Sequence, residues 1–201
     1  MPTPTADRRP EGATLRAFVA LDLDATGRRR VMRLSDRLRM ASGAPSAAWV
    51  AANKMHVTLK FVADLPEAAV APLGKAIGAM VQGRPAPPAC ALRLDAFPST
   101  AKARVVVVEL VDEGGALAKL AARVDKLVAK YDVPLETRAF RPHVTLARLK
   151  IVYDARRWLR PELAEAVGTC GLAAITLYRS RLGSEGATYV PLATFAFGGA
   201  S

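Results

Sequence analysis

Residues Phe140–Leu149 read FRPHVTLARL, and residues Met55–Val62 read MHVTLKFV. Both contain the tetrapeptide HVTL, and its histidines, His56 and His143, are the only two in the 201-residue chain. Each stretch is β-rich and is expected to form a strand. Side chains alternate between the two faces of a strand, so His and Thr share one face and Val and Leu the other. Val and Leu anchor the strand in a core, and an imidazole and a hydroxyl stand together on the opposite face. Pro142 has no N–H to give to a sheet. Pairing should stop there, which makes His143 the first paired residue of its strand.

The segments outside these stretches repeat an order. LRAFVALDL, Leu15 to Leu23, reads as a strand. Asp24 or Thr26 can cap a helix in which Val31, Leu34 and Leu38 recur to about Met40, before Gly43 and Pro45 break it. Ala47 to Val50 is a candidate short strand, and Met55 to Val62 is the first HVTL strand. Pro66 to Val81 follows as a helix that Pro72 shortens or kinks. Gly83 to Ala89 is a Pro-rich connector. Cys90 to Phe97 and Arg104 to Leu110 read as strands, the second (VVVVEL) apolar enough for burial on both faces. Gly114 to Tyr131 is a helix, and His143 to Leu149 is the second HVTL strand. Asp154 to Val167 is ambiguous, with a helical turn over Glu162 to Val167 started by Pro161. Leu172 to Leu182 and Tyr189 to Phe197 close the chain as two strands around GSEGA. Strands and helices alternate, so the class is α/β or α+β. The order strand, helix, HVTL strand occurs twice, which indicates an internal duplication with two pseudo-equivalent lobes.

Length and composition fit one domain or two lobes sharing a core, with 51% hydrophobic residues. We expect a tail over residues 1–14 and a single bilobal domain over 15–201. No apolar run is long enough to span a bilayer. MPTPTADRRPEGAT has no apolar region of the kind that marks a secretory signal. Cys90 and Cys170 have no metal-ligand spacing and read as free thiols in a reducing cytoplasm. The net charge of +11 favours polyanionic partners, nucleic acid first. A compositional bias toward Arg and Ala accounts for part of that charge.

Two imidazoles and two hydroxyls facing one cleft suit a phosphodiester. One neutral and one protonated imidazole make a base and an acid near neutral pH. One takes a proton from the attacking hydroxyl or water, and the other protonates the leaving oxygen. Thr58 and Thr145 can hold the non-bridging oxygens as they gain charge. Metal ions do this work in many phosphoesterases. Here no acidic cluster lies beside either motif, and two His with two Thr are a poor transition-metal set. No metal and no cofactor are expected. No serine or cysteine sits in a nucleophile-elbow context.

The paired motifs and their flanks resemble the two-histidine phosphoesterases, named for two H-x-[ST]-x motifs. The chain is most similar to their RNA 2′,3′-cyclic phosphodiesterase branch, historically called 2′-5′ RNA ligase. The resemblance runs from Leu15 nearly to the end: RAFVALDL, WVAANKMHVTLKFV, FRPHVTLARL and ITLYRSRLGSEGATYVPLATF. It implies an α+β, bilobal fold, with pseudo-symmetric lobes of largely antiparallel sheet, outer helices and a central cleft. It implies His56 as proton donor and His143 as proton acceptor, Thr58 and Thr145 as phosphate ligands, and opening of a 2′,3′-cyclic phosphate to a 2′-phosphate. Expected partners are RNA ends or cyclic nucleotides, including transfer-RNA fragments, met by a cytoplasmic monomer. A nucleotide-binding module without turnover and the reverse ligation are the alternatives.

Other positions are weaker candidates. Lys60, four residues after His56, shares its parity and can bind phosphate, or is a solvated lysine. Arg141 shares the parity of His143. Arg148 is five residues on and points away from the cleft unless a bulge intervenes. Phe18 is either a base-stacking platform or core. Trp49 is expected to pack its lobe. Tyr178, Arg179 and Arg181 have no assignable orientation from sequence.

Overall fold

Asp24 ends the first strand and starts the first helix. Its carboxylate accepts from the Gly27 N–H at the helix N-terminus. The computed structural model describes residues 12–160, 163, 168–183 and 186–198. Its elements are β1 (Thr14–Leu23), α1 (Ala25–Met40), β2 (Ala47–Trp49), β3 (His56–Pro66), α2 (Val70–Val81), β4 (Leu92–Phe97), β5 (Ala103–Leu110), α3 (Ala116–Val128), β6 (His143–Tyr153), β7 (Leu172–Gly183) and β8 (Gly186–Ala196). The tail expected over residues 1–14 falls almost wholly outside the described residues. So does most of the helical turn expected over Glu162 to Val167, and part of the GSEGA turn.

All strand pairings are antiparallel. The order is β4-β5-β6-β3-β1-β7-β8, with β2 on the side of β6. One lobe is β3-β1-β7-β8 and the other is β4-β5-β6 with β2. They meet where β3 and β6 pair through Val57 and Val144, the second residue of each HVTL. The two units β1-α1-β3 and β5-α3-β6 repeat the same connectivity, each closing its first strand on its last. This is the two-lobed architecture with an antiparallel sheet and a few helices that the repeat suggested. Val106 to Leu110 of β5 are buried without alternation, as a strand covered on both faces requires.

Boundaries differ where pairing outruns hydrophobic pattern. β3 continues to Pro66 because Thr14 and Leu15 pair with Pro66 and Leu65. β6 continues to Tyr153 because that residue pairs with Ala103. The helix expected from Pro66 begins instead with a 3-10 turn over Glu67–Ala69, and α2 starts at Val70. Pro72 sits in the first turn of α2, where its missing N–H removes no helical bond. Phe195 of β8 lies 2.7 Å from where a Cβ on Gly78 would stand, so glycine lets α2 settle closely on the sheet. Cys90 lies before β4 and forms an isolated bridge with Cys170, exchanging backbone bonds of 2.9 and 2.7 Å. Both thiols are free and buried, and burial, with Asp24 next, pushes Cys170 up to about 12. Trp49 packs edge-on against Trp158, whose indole donates to the Leu38 carbonyl at 3.1 Å and fastens the end of α1.

Candidate active site

His56 and Thr58 of β3 and His143 and Thr145 of β6 line one open cleft of about 290 Å³. Each strand begins at its histidine, so both imidazoles stand at the mouths of their ladders. Pro142 closes the ladder on one side: its carbonyl accepts from Leu110 N–H at 2.9 Å, and His143 pairs opposite Glu109. Three cationic side chains, Arg16, Lys54 and Arg148, share the lining, and among the described residues no carboxylate does. The cleft therefore favours an anion.

The two imidazoles are held alike. His143 Nδ1 lies 2.7 Å from the Arg141 carbonyl, which can only accept, so Nδ1 carries the proton and Nε2 is left for chemistry. His56 bonds to the Lys54 backbone, again two residues earlier. Phe18 stacks on His56 at 4.7 Å, and Phe97 meets His143 edge-on at 4.9 Å. Burial holds His56 below the usual imidazole range. The backbone bond and the Asp22 carboxylate oppose that shift, and His143 and Arg28 add to it. Asp22, directly across from His56 on β1, accepts from Thr176 Oγ1 at 2.5 Å and Tyr178 OH at 2.8 Å. Burial and that bond push the Tyr178 phenol up to about 12, so it remains a donor.

A shared irregularity corrects the reading of the flanking residues. In β3, Val19 pairs with Lys60 but Ala20 with Thr58, so Leu59 is an extra residue. In β6, Val106 pairs with Ala147 but Val107 with Thr145, so Leu146 is extra. Each bulge reverses the facing of the residues after it, as far as the strand's next register shift. Lys60 is turned inward, 8% exposed, with its amino group 2.6 Å from Asp125 of α3 and donating to the Pro134 carbonyl at 2.7 Å. It is a structural cation and not the cleft residue that its parity suggested. Phe61, 46% exposed, takes the cleft face instead, under the Arg16 guanidinium at 5.0 Å. On β6 the same step brings Arg148 into the cleft lining, the bulge being the condition under which it was not expected to point away. Its guanidinium has no ion-pair or hydrogen-bond partner among the described residues.

Two further candidates move. Arg141 is tied to Glu109 and Asp95 and covers the Phe97 ring at 4.6 Å, so its guanidinium serves the second lobe and not the cleft. Only its carbonyl serves the site. Phe18 lies in the cleft floor but is 3% exposed and packs on His56, Tyr178 and Tyr189, which leaves no face for a base. Among the described residues no group of three or more His, Cys, Asp or Glu gathers as a metal ion would need.

The family model for LigT like phosphoesterases matches this chain twice in succession, over residues 21–107 and 108–189, one match carrying each histidine motif. The chain belongs to that family. Among relatives of this LigT-like phosphoesterase, an RNA 2′,3′-cyclic phosphodiesterase of Geobacillus stearothermophilus is 29% identical over 170 residues. That alignment takes in 82% of this chain but 52% of the relative, so the chain spans about half of that protein's length. A protein of the same name from Aeropyrum pernix is 30% identical over 167 residues, 81% of this chain and 92% of the relative. The fold is similar to that of a Thermus thermophilus protein, with a TM-score of 0.69 at 24% identity over 92% of this chain and 99% of that one. It is also similar to E. coli LigT solved with 3′-AMP, with a TM-score of 0.65 at 22% identity over 92% and 99%. No helix among the described residues is long and apolar enough to cross a membrane.

Proposed function

We propose that this LigT-like phosphoesterase opens terminal 2′,3′-cyclic phosphates of RNA and leaves a 2′-phosphate. The observation that carries the reading is the pair of imidazoles lining one cationic cleft, each hydrogen-bonded to the backbone two residues earlier. The names of the relatives, RNA 2′,3′-cyclic phosphodiesterases, support the substrate. In this mechanism His143 Nε2 takes a proton from water as the water oxygen bonds to phosphorus. The bond from phosphorus to O3′ breaks on the opposite side, and His56 gives its proton to the departing oxygen. Thr58 and Thr145 donate to the non-bridging oxygens, and the Arg148 guanidinium supplies charge to the pentacoordinate state. Water, two histidines, two threonines and an arginine complete the balance without a metal ion. Transfer-RNA fragments and other RNA ends are the proposed substrates, met in the cytoplasm by a monomer.

The test is hydrolysis of a cyclic-phosphate-ended oligonucleotide in EDTA, with products separated as 2′- and 3′-phosphates. Turnover to the 2′-phosphate that His56→Ala and His143→Ala each abolish is the expected result. Turnover that EDTA removes, or that survives either substitution, overturns the mechanism.

A further inference from the structure

The two lobes place an acidic residue directly across from each histidine. Asp22 of β1 pairs with His56, and Glu109 of β5 pairs with His143. Directly opposed residues of antiparallel strands point to the same face. Each imidazole therefore has a carboxylate as its cross-strand neighbour. The two carboxylates stand at equivalent positions of the repeat, next to last in VALDL and VVVEL.

Their surroundings are opposite. Asp22 is held only by neutral donors, the hydroxyls of Thr176 and Tyr178. Thr176 has one proton to give and gives it to Asp22, so the 3.0 Å contact with Thr194 is one in which Thr194 donates. No cation pairs with Asp22 among the described residues. Arg28 faces the same region, but its guanidinium is spent on the Ala52 and Leu23 carbonyls. Glu109, 5% exposed, is gripped by two guanidiniums: Arg93 on one oxygen at 2.6 Å and Arg141 on the other. Arg141 also bonds Asp95 at 2.6 Å. Two guanidiniums thus contact Glu109 directly, whereas none contacts Asp22; Arg28 keeps its charge nearby and opposes Asp22 at His56.

We propose that Asp22 and Glu109 are positioning residues that make the two histidines unlike: the unbalanced Asp22 favours imidazolium at His56, and the neutralised Glu109 offers His143 no such support. The inference rests on the acid–base reading above. It supplies what two identical HVTL motifs lack, a reason for one histidine to hold a proton while its twin accepts one. The groups facing His56 are Asp22 from β1, Arg28 from α1, Lys54 before β3, His143 and Arg148 from β6, Tyr178 from β7 and Tyr189 from β8. Those facing His143 are Glu109 from β5, Arg93 and Asp95 from β4, Arg141 before β6, Arg148 from β6, and His56. Burial of His56 works against its protonation, so the Asp22 charge matters most there.

With two histidines in the chain, an NMR titration of the imidazole carbons gives two curves, assigned with His56→Gln. Asp22→Asn keeps shape and removes charge, and its amide can still bond both hydroxyls. It should lower the His56 midpoint by about half a pH unit or more and leave that of His143 in place. Arg141→Met, at a half-exposed residue, unbalances Glu109 and should raise the His143 midpoint alone. Tyr178→Phe removes a hydrogen bond and keeps the carboxylate, so it should not lower the His56 midpoint. An unchanged His56 midpoint in Asp22→Asn, or an equal fall in Tyr178→Phe, overturns the proposal. The titrations need no turnover, so a failure of the hydrolase reading shows separately, as an absence of product in the EDTA assay.

Discussion

HVTLKF and HVTLAR begin as the same strand and end as different ones. Up to the fourth residue β3 and β6 are interchangeable: histidine bonded to the backbone two residues earlier, Val buried, Thr in the cleft, Leu buried. The bulge at Leu59 or Leu146 then turns the fifth residue inward and the sixth toward the cleft. The fifth residues are Lys60 and Ala147, and the sixth are Phe61 and Arg148. One lobe thus buries a lysine and offers an aromatic ring; the other buries a methyl group and offers a cation. A duplicated scaffold has kept its paired chemistry and separated its support.

Removing either histidine tests the part the lobes share. His56→Ala and His143→Ala should each lower kcat by about 10³-fold or more, at an unchanged melting temperature. A large loss for one and a small loss for the other would break the pairing. The next effect belongs to one lobe only. Arg148→Met should lower kcat/KM by about 10²-fold in steady-state assays, because in the proposed mechanism the guanidinium, which lines the cleft and has no ion-pair partner among the described residues, meets the developing charge. Its melting temperature should stay put.

Lys60→Met should show the reverse pattern. The ammonium is the partner of Asp125 and is 9% exposed beside a carboxylate that is 14% exposed. Truncation leaves the acid charged and nearly buried, at a cost of about 3 kcal/mol in urea unfolding, with kcat retained. If Lys60→Met lost activity and kept stability, the bulge-based facing would be wrong. Phe61→Leu is milder: loss of the exposed ring under Arg16 should raise KM a few-fold for an oligonucleotide, by about 1 kcal/mol or less, and leave kcat alone.

The duplication, the strand–helix order and the facing of His56, Thr58, His143 and Thr145 were legible because they follow from a period of two and a repeated tetrapeptide. Strict alternation carried through a bulge misplaces Lys60, and Arg148 enters the cleft only through the bulge that its reading named as the exception. A trace of the bulge is in the sequence. The large buried apolar residues run Val57, Leu59, Val62 in one copy and Val144, Leu146, Leu149 in the other, a step of two and then a step of three. The same break in two copies marks an inserted residue more firmly than either alone. Arg141 and Phe18 were not legible, because their partners Glu109, Asp95, Tyr178 and Tyr189 arrive from strands distant in the chain.

The smallest expected effect concerns stability. His56 sits below its ordinary value of 6.5, chiefly through burial, so over the window just under 6.5 the unfolded chain binds more protons at this site than the folded one. Stability from this residue is therefore complete above 6.5 and is lost as pH falls through the folded-state value. The Asp22 carboxylate works in the other direction and keeps the window narrow. Urea unfolding of wild type and His56→Gln at several pH values between about 5 and 8 isolates the term, because every other ionisable group is common to both. The difference in stability should be flat above 6.5 and should shift against wild type below it. A difference that grew in favour of wild type on acidification would mean that Asp22 outweighs burial. His56 would then be poised as an acid before any phosphate arrives.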